Sequence, residues 1–198
     1  MSVGGSGYTW AVLDLEKLAP ETVRPLRRSE YDQIVELGLF ASERVELLYG
    51  TLVKMTPQGT GHMYVVRRLN RILLPLVAAR ADVSVQAPLA ASDESEPEPD
   101  FALIPRGDYL DEKPTTALLV VEVADSSLRK DRDIKARLYA EMGIPEYWLV
   151  NLVDSTVEVR RSPKDGVYTK VSIHQRDETL ALLAFPDISV ALAEILPP

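Results

Sequence analysis

The sequence predicts a mixed α/β protein in which helices pack on one β-sheet. Between Leu118 and Leu149, an apolar strand, a turn, an amphipathic helix and a second strand follow one another. Two candidate hairpins lie outside this unit, at residues 45–55 and 156–173. A strand–helix–strand unit joins parallel strands, whereas hairpins add antiparallel ones. These elements therefore predict a mixed sheet flanked by helices.

Composition predicts one globular domain. The chain has 198 residues, of which 46% are hydrophobic and 26% charged, enough for a sizeable core over residues 26–198. Residues 1–25 begin Gly/Ser-rich and have no sustained period, so we expect a flexible or loosely docked arm. The absence of cysteine excludes disulfides and thiolate metal sites and favours a cytoplasmic location.

Charge and hydropathy limit the membranes and nucleic acids to which this protein could bind. No apolar run reaches the roughly 18 residues that a membrane span needs, so no membrane association is expected. The net charge of −8 argues against indiscriminate binding of nucleic acid, although a local basic groove stays possible.

The remaining elements follow from caps and breakers. Ser29-x-x-Asp32 resembles a capping box that opens a helix with Tyr31, Ile34, Val35 and Leu37 on its apolar face. A second helix begins near His62, and Pro75 is expected to kink or divide it. Further strands are predicted at 83–89, 100–104 and 180–185, and a terminal helix or turn at 190–196.

A polar cluster is predicted where a core is expected. Glu122 lies within the apolar strand of the central unit, where an isolated carboxylate is costly. Asp131 and Lys135 fall on the inward arc of the following helix, and Ala136 on its outer face or edge. Grouped charges of this kind indicate a functional site; an internal salt bridge is the structural alternative. The apolar residues of that arc are Ile134, Leu138, Tyr139 and Met142.

Asp100 opens the strand that precedes the Glu122 strand. Strands consecutive in sequence usually neighbour each other, so the two carboxylates should approach and repel unless a proton or a cation separates them. Oxygen ligands suit a hard cation such as Mg²⁺ or Mn²⁺. Lys135 would then lie beside a bound oxyanion or orient a water, an arrangement that suits hydrolysis of a phosphodiester.

Two basic clusters could line a rim that meets a phosphate backbone, although a solvated helix face is the commoner explanation for such clusters. They are Arg67/Arg68/Arg71 and Arg129/Lys130/Arg132.

These residues resemble the Uma-two family of proposed bacterial endonucleases, within the restriction-endonuclease-like PD-(D/E)xK superfamily. The resemblance covers roughly residues 29–196 and is most specific over 135–150. Its blocks are Val45-Glu46-Leu47-Leu48-Tyr49-Gly50, the helix start at His62, Pro99-Asp100, Val121-Glu122-Val123, Asp131-x-x-x-Lys135 and Tyr139-Ala140-x-x-Gly143-Ile144-Pro145-Glu146-Tyr147-Trp148-Leu149-Val150.

The resemblance implies a restriction-endonuclease-like core, with an N-terminal helix and hairpin extension, in which Asp100 and Glu122 bind Mg²⁺ or Mn²⁺. It implies an endonuclease acting on nucleic acid, with DNA the expected substrate, that works as a homodimer. In the superfamily, a lysine usually lies two residues after the glutamate. Here that position is Ala124, and the family pattern points to Lys135 instead.

Three further residues have supporting roles with open alternatives. Glu46 aligns with a family glutamate and is either a further metal ligand or a solvent-facing hairpin residue. In its functional interpretation, His62 orients a phosphate or acts as a general base. In its structural interpretation, it is a helix-start residue whose ring nitrogens have hydrogen-bond partners. Asp131 is expected to pair with Lys135 and hold its geometry.

Two other functions compete with nuclease activity. The missing lysine at Ala124 and the acidic net charge favour a degenerate module that serves in binding or assembly. Hydrolysis of a small phosphorylated molecule is a third possibility.

Overall fold

A computed structural model describes residues 24–198, and most of the predicted N-terminal arm lies outside the described residues. The central sheet has six strands, and their order across the sheet is the same as their order in the chain. Adjacent strands are antiparallel except one pair, which a helical crossover joins in parallel. The strands are β3 (Ala81–Ser84), β4 (Phe101–Pro105), β5 (Leu119–Ala124), β6 (Glu146–Asn151), β7 (Thr156–Lys164) and β8 (Val167–His174), and β5–β6 is the parallel pair.

Helices and two small hairpins surround this sheet. The two-stranded units pair β1 with β2 and β9 with β10. No helix among residues 24–198 combines the length and the hydropathy that a bilayer crossing needs. The elements are α1 (Arg28–Glu36), β1 (Val45–Leu48), β2 (Thr51–Lys54), α2 (Thr60–Val77), a π-helix (Lys130–Lys135) continuing into α3 (Ala136–Glu141), β9 (Thr179–Ala181), β10 (Ser189–Ala191) and α4 (Leu192–Ile195).

The core has one layer on each face of the sheet. Along β5, Leu119, Val121 and Val123 belong to the layer beneath α2 and α4, while Val120 and Ala124 belong to the layer beneath α3. This strand is therefore apolar on both faces because side chains alternate along it and both faces are covered. Glu122 lies on the α3 face.

Of the two effects expected of Pro75, division of α2 is excluded, because the helix continues to Val77. Two other local predictions were wrong. The strand expected at 83–89 is β3, which ends at Ser84, and Gln86 has a positive φ of 51°. Helix α1 starts at Arg28, so the expected Ser29 capping box does not form, and the Glu30 carboxylate accepts a hydrogen bond from the Arg27 amide instead.

The face of α1 and the terminal strand also differ in detail. Tyr31 is buried, but Val35 and Leu37 are exposed. The strand expected at 180–185 covers only Thr179–Ala181.

The π-helix changes which residues of the crossover face the sheet. Ile134 is 44% exposed and Ala136 is buried, the opposite of the α-helical prediction. Bonds in a π-helix run from residue i to i+5, so each turn holds one more residue and rotates the following side chains.

We expect Leu69→Ala, in the buried face of α2, to lower the free energy of unfolding by about 2–5 kcal/mol, because it leaves a cavity against the sheet. Leu74→Ala is the matched control: Leu74 lies on the same helix but is exposed, and its loss should stay within about 0.5 kcal/mol. Urea unfolding followed by circular dichroism measures both. Equal losses would contradict the packing of α2 on the sheet.

Candidate active site

The sheet register brings Asp100 and Glu122 together. Phe101 pairs with Val121 and Ala102 with Val120, so Asp100 lies opposite Glu122, one step beyond the ladder. Residues directly opposite on antiparallel strands have Cβ atoms about 5 Å apart. Asp100 Oδ2 also accepts a hydrogen bond of 2.8 Å from the amide of Val123. The predicted proximity of the two carboxylates is therefore confirmed.

The β1–β2 hairpin positions Glu46 in the same cluster as Asp100 and Glu122. Leu47 exchanges backbone hydrogen bonds with Glu96, which docks β1 against the loop before β4. The Glu46 side chain is fully buried, and its Oε2 accepts a hydrogen bond from the amide of Glu98. Its interpretation as a solvent-facing residue is therefore excluded.

The π-helix supplies the positive charges. Lys130 and Lys135 are five residues apart, a spacing that stacks side chains in a π-helix but separates them in an α-helix. Both lysines reach the same carboxylate: Lys130 Nζ lies 2.6 Å from Glu46 Oε1, and Lys135 Nζ lies 3.1 Å from Glu46 Oε2.

Lys135 is the centre of the cluster. It is 1% exposed, and its Nζ lies 2.5 Å from Glu122 Oε1. The same Glu122 oxygen accepts a hydrogen bond of 2.5 Å from the hydroxyl of Tyr139, which follows one turn later on α3. Glu122 thus has a cation and a neutral donor in a layer that is otherwise apolar.

Burial and neighbouring charges act on these groups in opposite directions. Burial raises the pKa of Glu122 well above its usual range, against the charge of Lys135. Burial alone would lower the pKa of Lys135, but Glu122, Glu46 and Asp131 outweigh it and hold that pKa well above its usual range. Burial would raise the pKa of Glu46, but Lys135 and Lys130 together lower it. The lysines therefore favour the ionised form of Glu46, whereas burial favours the protonated form of Glu122 despite the charge of Lys135.

Asp131 does not pair with Lys135, contrary to the sequence prediction. Its Oδ2 accepts a hydrogen bond of 2.5 Å from the hydroxyl of Ser127, and its backbone carbonyl accepts one from Tyr147. Burial raises the pKa of Asp131, and the charge of Lys135 opposes this shift from a greater distance. The difference arises because Glu122 and Glu46 occupy the Lys135 ammonium.

His62 lies at the start of α2 and contacts Asp100. Its Nε2 is 3.0 Å from Asp100 Oδ2, whereas its Nδ1 is buried without a hydrogen-bond partner among the described residues. The ring is therefore only half satisfied, and the contact orients Asp100.

A small cavity of ≈ 70 Å³ opens between these groups and the loop from Met55 to Gly59. Asp100 and Glu122 both line it, and each has one carboxylate oxygen, Oδ1 and Oε2 respectively, to which no described residue donates a hydrogen bond. Neither oxygen is among the fully buried unpartnered atoms of the described chain. Both therefore keep some exposure to solvent.

The donor set fits a divalent cation that keeps part of its water. When all are ionised, the four carboxylates of Glu46, Asp100, Glu122 and Asp131 carry two more charges than Lys130 and Lys135 neutralise. No three His, Asp or Glu side chains within residues 24–198 form a complete cage for a metal ion. Mg²⁺ is commonly held by one or two carboxylates with water and substrate phosphate, which Asp100 and Glu122 can provide.

Most residues named in the two basic clusters form hydrogen bonds or ion pairs with nearby residues of the protein. Arg68 donates to the backbone carbonyl of Glu194 on α4, and Arg67 to that of Met63. Arg132 forms an ion pair with Glu158, and only Lys130 of its cluster lines the cavity. The structure therefore does not place the arginines of either cluster at the rim.

Sequence reasoning missed the partner roles of Tyr139, Ser127 and Lys130. The predicted apolar arc includes Tyr139, although a tyrosine facing a buried carboxylate is a potential donor. At α-helical spacing Lys130 falls outside the inward arc, so its contact with Glu46 is not predicted. One signal could have indicated the role of Lys130: two buried carboxylates need more than one cation to neutralise them.

A solved structure has a similar fold. A crystal structure titled "a putative nuclease belonging to DUF820", from Anabaena variabilis ATCC 29413 and determined at 1.96 Å resolution, matches with a TM-score of 0.67. The match covers 86% of this chain and 97% of that chain at 15% identity. The predicted fold class is thereby confirmed.

The family is shown by sequence. The model of the Uma2 family, described as "Putative restriction endonuclease", matches residues 28–193, and the chain belongs to this family. No curated protein matches the chain. The predicted family is confirmed.

We expect Lys135→Met to lower the free energy of unfolding by about 3–5 kcal/mol, because it leaves Glu122 and Glu46 buried without their shared cation. The double variant Lys135→Met/Glu122→Gln should recover part of this loss. Lys54→Met, which removes an exposed partner of Glu43, should change stability by at most about 1 kcal/mol. Denaturant unfolding of the wild type, Lys135→Met, Glu122→Gln and the double variant measures the coupling, with Lys54→Met as the control, and strictly additive losses would refute it.

Proposed function

We propose that the protein is a metal-dependent endonuclease that hydrolyses phosphodiester bonds, with DNA as its substrate. One observation carries the proposal: Asp100 and Glu122 line one cavity beside the buried ammonium of Lys135, and each keeps an oxygen that no described residue engages. Family membership and the nuclease-like fold support the same reaction class.

Each residue has a defined task in this proposal. Asp100 and Glu122 would hold Mg²⁺ or Mn²⁺, while the Val123 amide and His62 fix the orientation of Asp100. When bound, such a cation polarises the phosphate and lowers the pKa of an attacking water. Lys135 and Tyr139 hold the Glu122 side chain in a fixed position through its Oε1.

Glu46 acts in this proposal through the lysines. Both of its oxygens are engaged, by Lys130 and Lys135, so it orients these ammonium groups rather than binding the metal directly. A homodimer would allow two such sites to reach the two strands of a duplex.

A non-catalytic module that serves in binding or assembly is the second candidate, and a specific observation favours it. Lys135 already neutralises Glu122 and Glu46, so the cluster is compensated without a metal. Ala124, at the position where the superfamily usually has its lysine, is buried at the end of β5 and has no charge.

We expect saturable Mn²⁺ binding to the wild type in calorimetry, and its loss in Asp100→Asn and Glu122→Gln, because each change removes an anionic ligand. Glu112→Gln removes an exposed carboxylate outside the cavity and should bind as the wild type does. Lack of binding by the wild type, with an oligonucleotide present to complete the coordination, would favour the non-catalytic module.

We expect the wild type to cleave DNA with Mg²⁺ or Mn²⁺ and to stop when EDTA removes the ion. Asp100→Asn should reduce the rate by about 10²-fold or more, since metal polarisation contributes several kcal/mol to the transition state. Gel analysis of plasmid and of labelled single strands would show cleavage and its strand preference. Cleavage that persists in EDTA, or in Asp100→Asn, would overturn the proposal.

A further inference from the structure

The donors of Lys135 are fully engaged. An ammonium group has three N–H donors. Lys135 Nζ has three acceptors within reach: Glu122 Oε1 at 2.5 Å, Glu46 Oε2 at 3.1 Å and the carbonyl oxygen of Glu98 at 3.5 Å. The side chain is almost completely buried. Lys135 can therefore contact a substrate only by giving up one of these partners, which would leave a buried group unpaired.

Lys130 differs in each of these respects. Its Nζ has one partner among the described residues, Glu46 Oε1 at 2.6 Å, so two N–H donors stay available. Its side chain is 22% exposed, compared with 2% for that of Lys135. Lys130 and Lys135 both line the cavity together with Asp100 and Glu122. Of the two, Lys130 is the more exposed cation and the one with spare donors.

The partners of Glu46 limit the free-energy cost of moving Lys130. Its two oxygens are divided between the lysines, Oε1 for Lys130 and Oε2 for Lys135. If Lys130 turned towards a ligand in the cavity, Glu46 would keep Lys135 and the amide of Glu98 as partners. Only Oε1 would lose its described partner, and Lys135 would still neutralise the carboxylate; Lys130 can also keep Oε1 and offer its two spare donors to a ligand.

The neighbouring basic residues do not share this position. Both Nε and Nη2 of Arg132 donate to Glu158. Arg129 is exposed and does not line the cavity. Of the three charges in this cluster, only Lys130 is directed to the site by the π-helix.

We propose that Lys130, rather than Lys135, is the lysine that binds the substrate, and that its ligand is a phosphate oxygen of the nucleic-acid strand beside the bond being cleaved. Lys135 then serves as a positioning residue that holds Glu122 and Glu46. The inference rests on the proposed function, because it takes a phosphodiester as the ligand of the cavity.

The test separates binding from cleavage. Binding of a fluorescent DNA oligonucleotide is measured by anisotropy with Ca²⁺ in place of Mg²⁺, over a range of salt concentrations, for the wild type, Lys130→Gln and Lys130→Arg. Arg129→Gln is the matched control, because it removes one positive charge at the adjacent position. Thermal unfolding checks that each variant is folded.

We expect Lys130→Gln to weaken binding about tenfold and to reduce the slope of log K against log salt by about one, as loss of a single phosphate contact requires. Lys130→Arg should keep the slope, because it keeps the charge. Arg129→Gln should change both quantities less. In cleavage assays with Mn²⁺, Lys130→Gln should raise KM more than it lowers kcat.

Two outcomes overturn the inference and are distinguishable. Equal effects of Lys130→Gln and Arg129→Gln, in a protein whose wild type binds and cleaves DNA, would overturn the role of Lys130 alone. A folded wild type that neither binds nor cleaves any polynucleotide would overturn the proposed function and this inference together.

Discussion

The arrangement of the site depends on one buried ammonium group. Lys135 lies between Glu122 on the central sheet and Glu46 on a separate hairpin, in a layer that is otherwise apolar. Two carboxylates in such surroundings repel each other and lose hydration, so a shared cation, or a proton on one of them, is needed to stabilise the pair. The hairpin, the sheet and the crossover helix are thus connected by a charge requirement as well as by packing.

The π-helix is the local device that satisfies this requirement. Regular α-helical geometry would direct Lys130 and Lys135 to different sides of the crossover, whereas the wider turn directs both to Glu46. The same change exposes Ile134 and buries Ala136. Short π-helical segments are frequently found at functional sites, and here the geometric reason is that two cations are needed on one face.

The sheet places the acidic pair independently of the helix. The parallel β5–β6 pair requires a crossover connection, and this crossover carries the lysines over the α3 face of the sheet. The antiparallel β4–β5 register puts Asp100 opposite Glu122 on that same face. Two separate topological features therefore converge at the ends of two neighbouring strands.

The sequence by itself determined the mixed sheet, its central strand–helix–strand unit and the inward direction of Asp100, Glu122 and Lys135. These follow from periodicities of two and 3.6 residues and from the cost of an isolated buried charge, which are local properties. Tertiary structure alone decided the partners. Glu46 joins the site because its hairpin docks on the loop before β4, and Asp131 turns to Ser127 because other carboxylates occupy Lys135. Neither choice is readable from the sequence, because each results from competition among groups far apart in the chain for the same few donors.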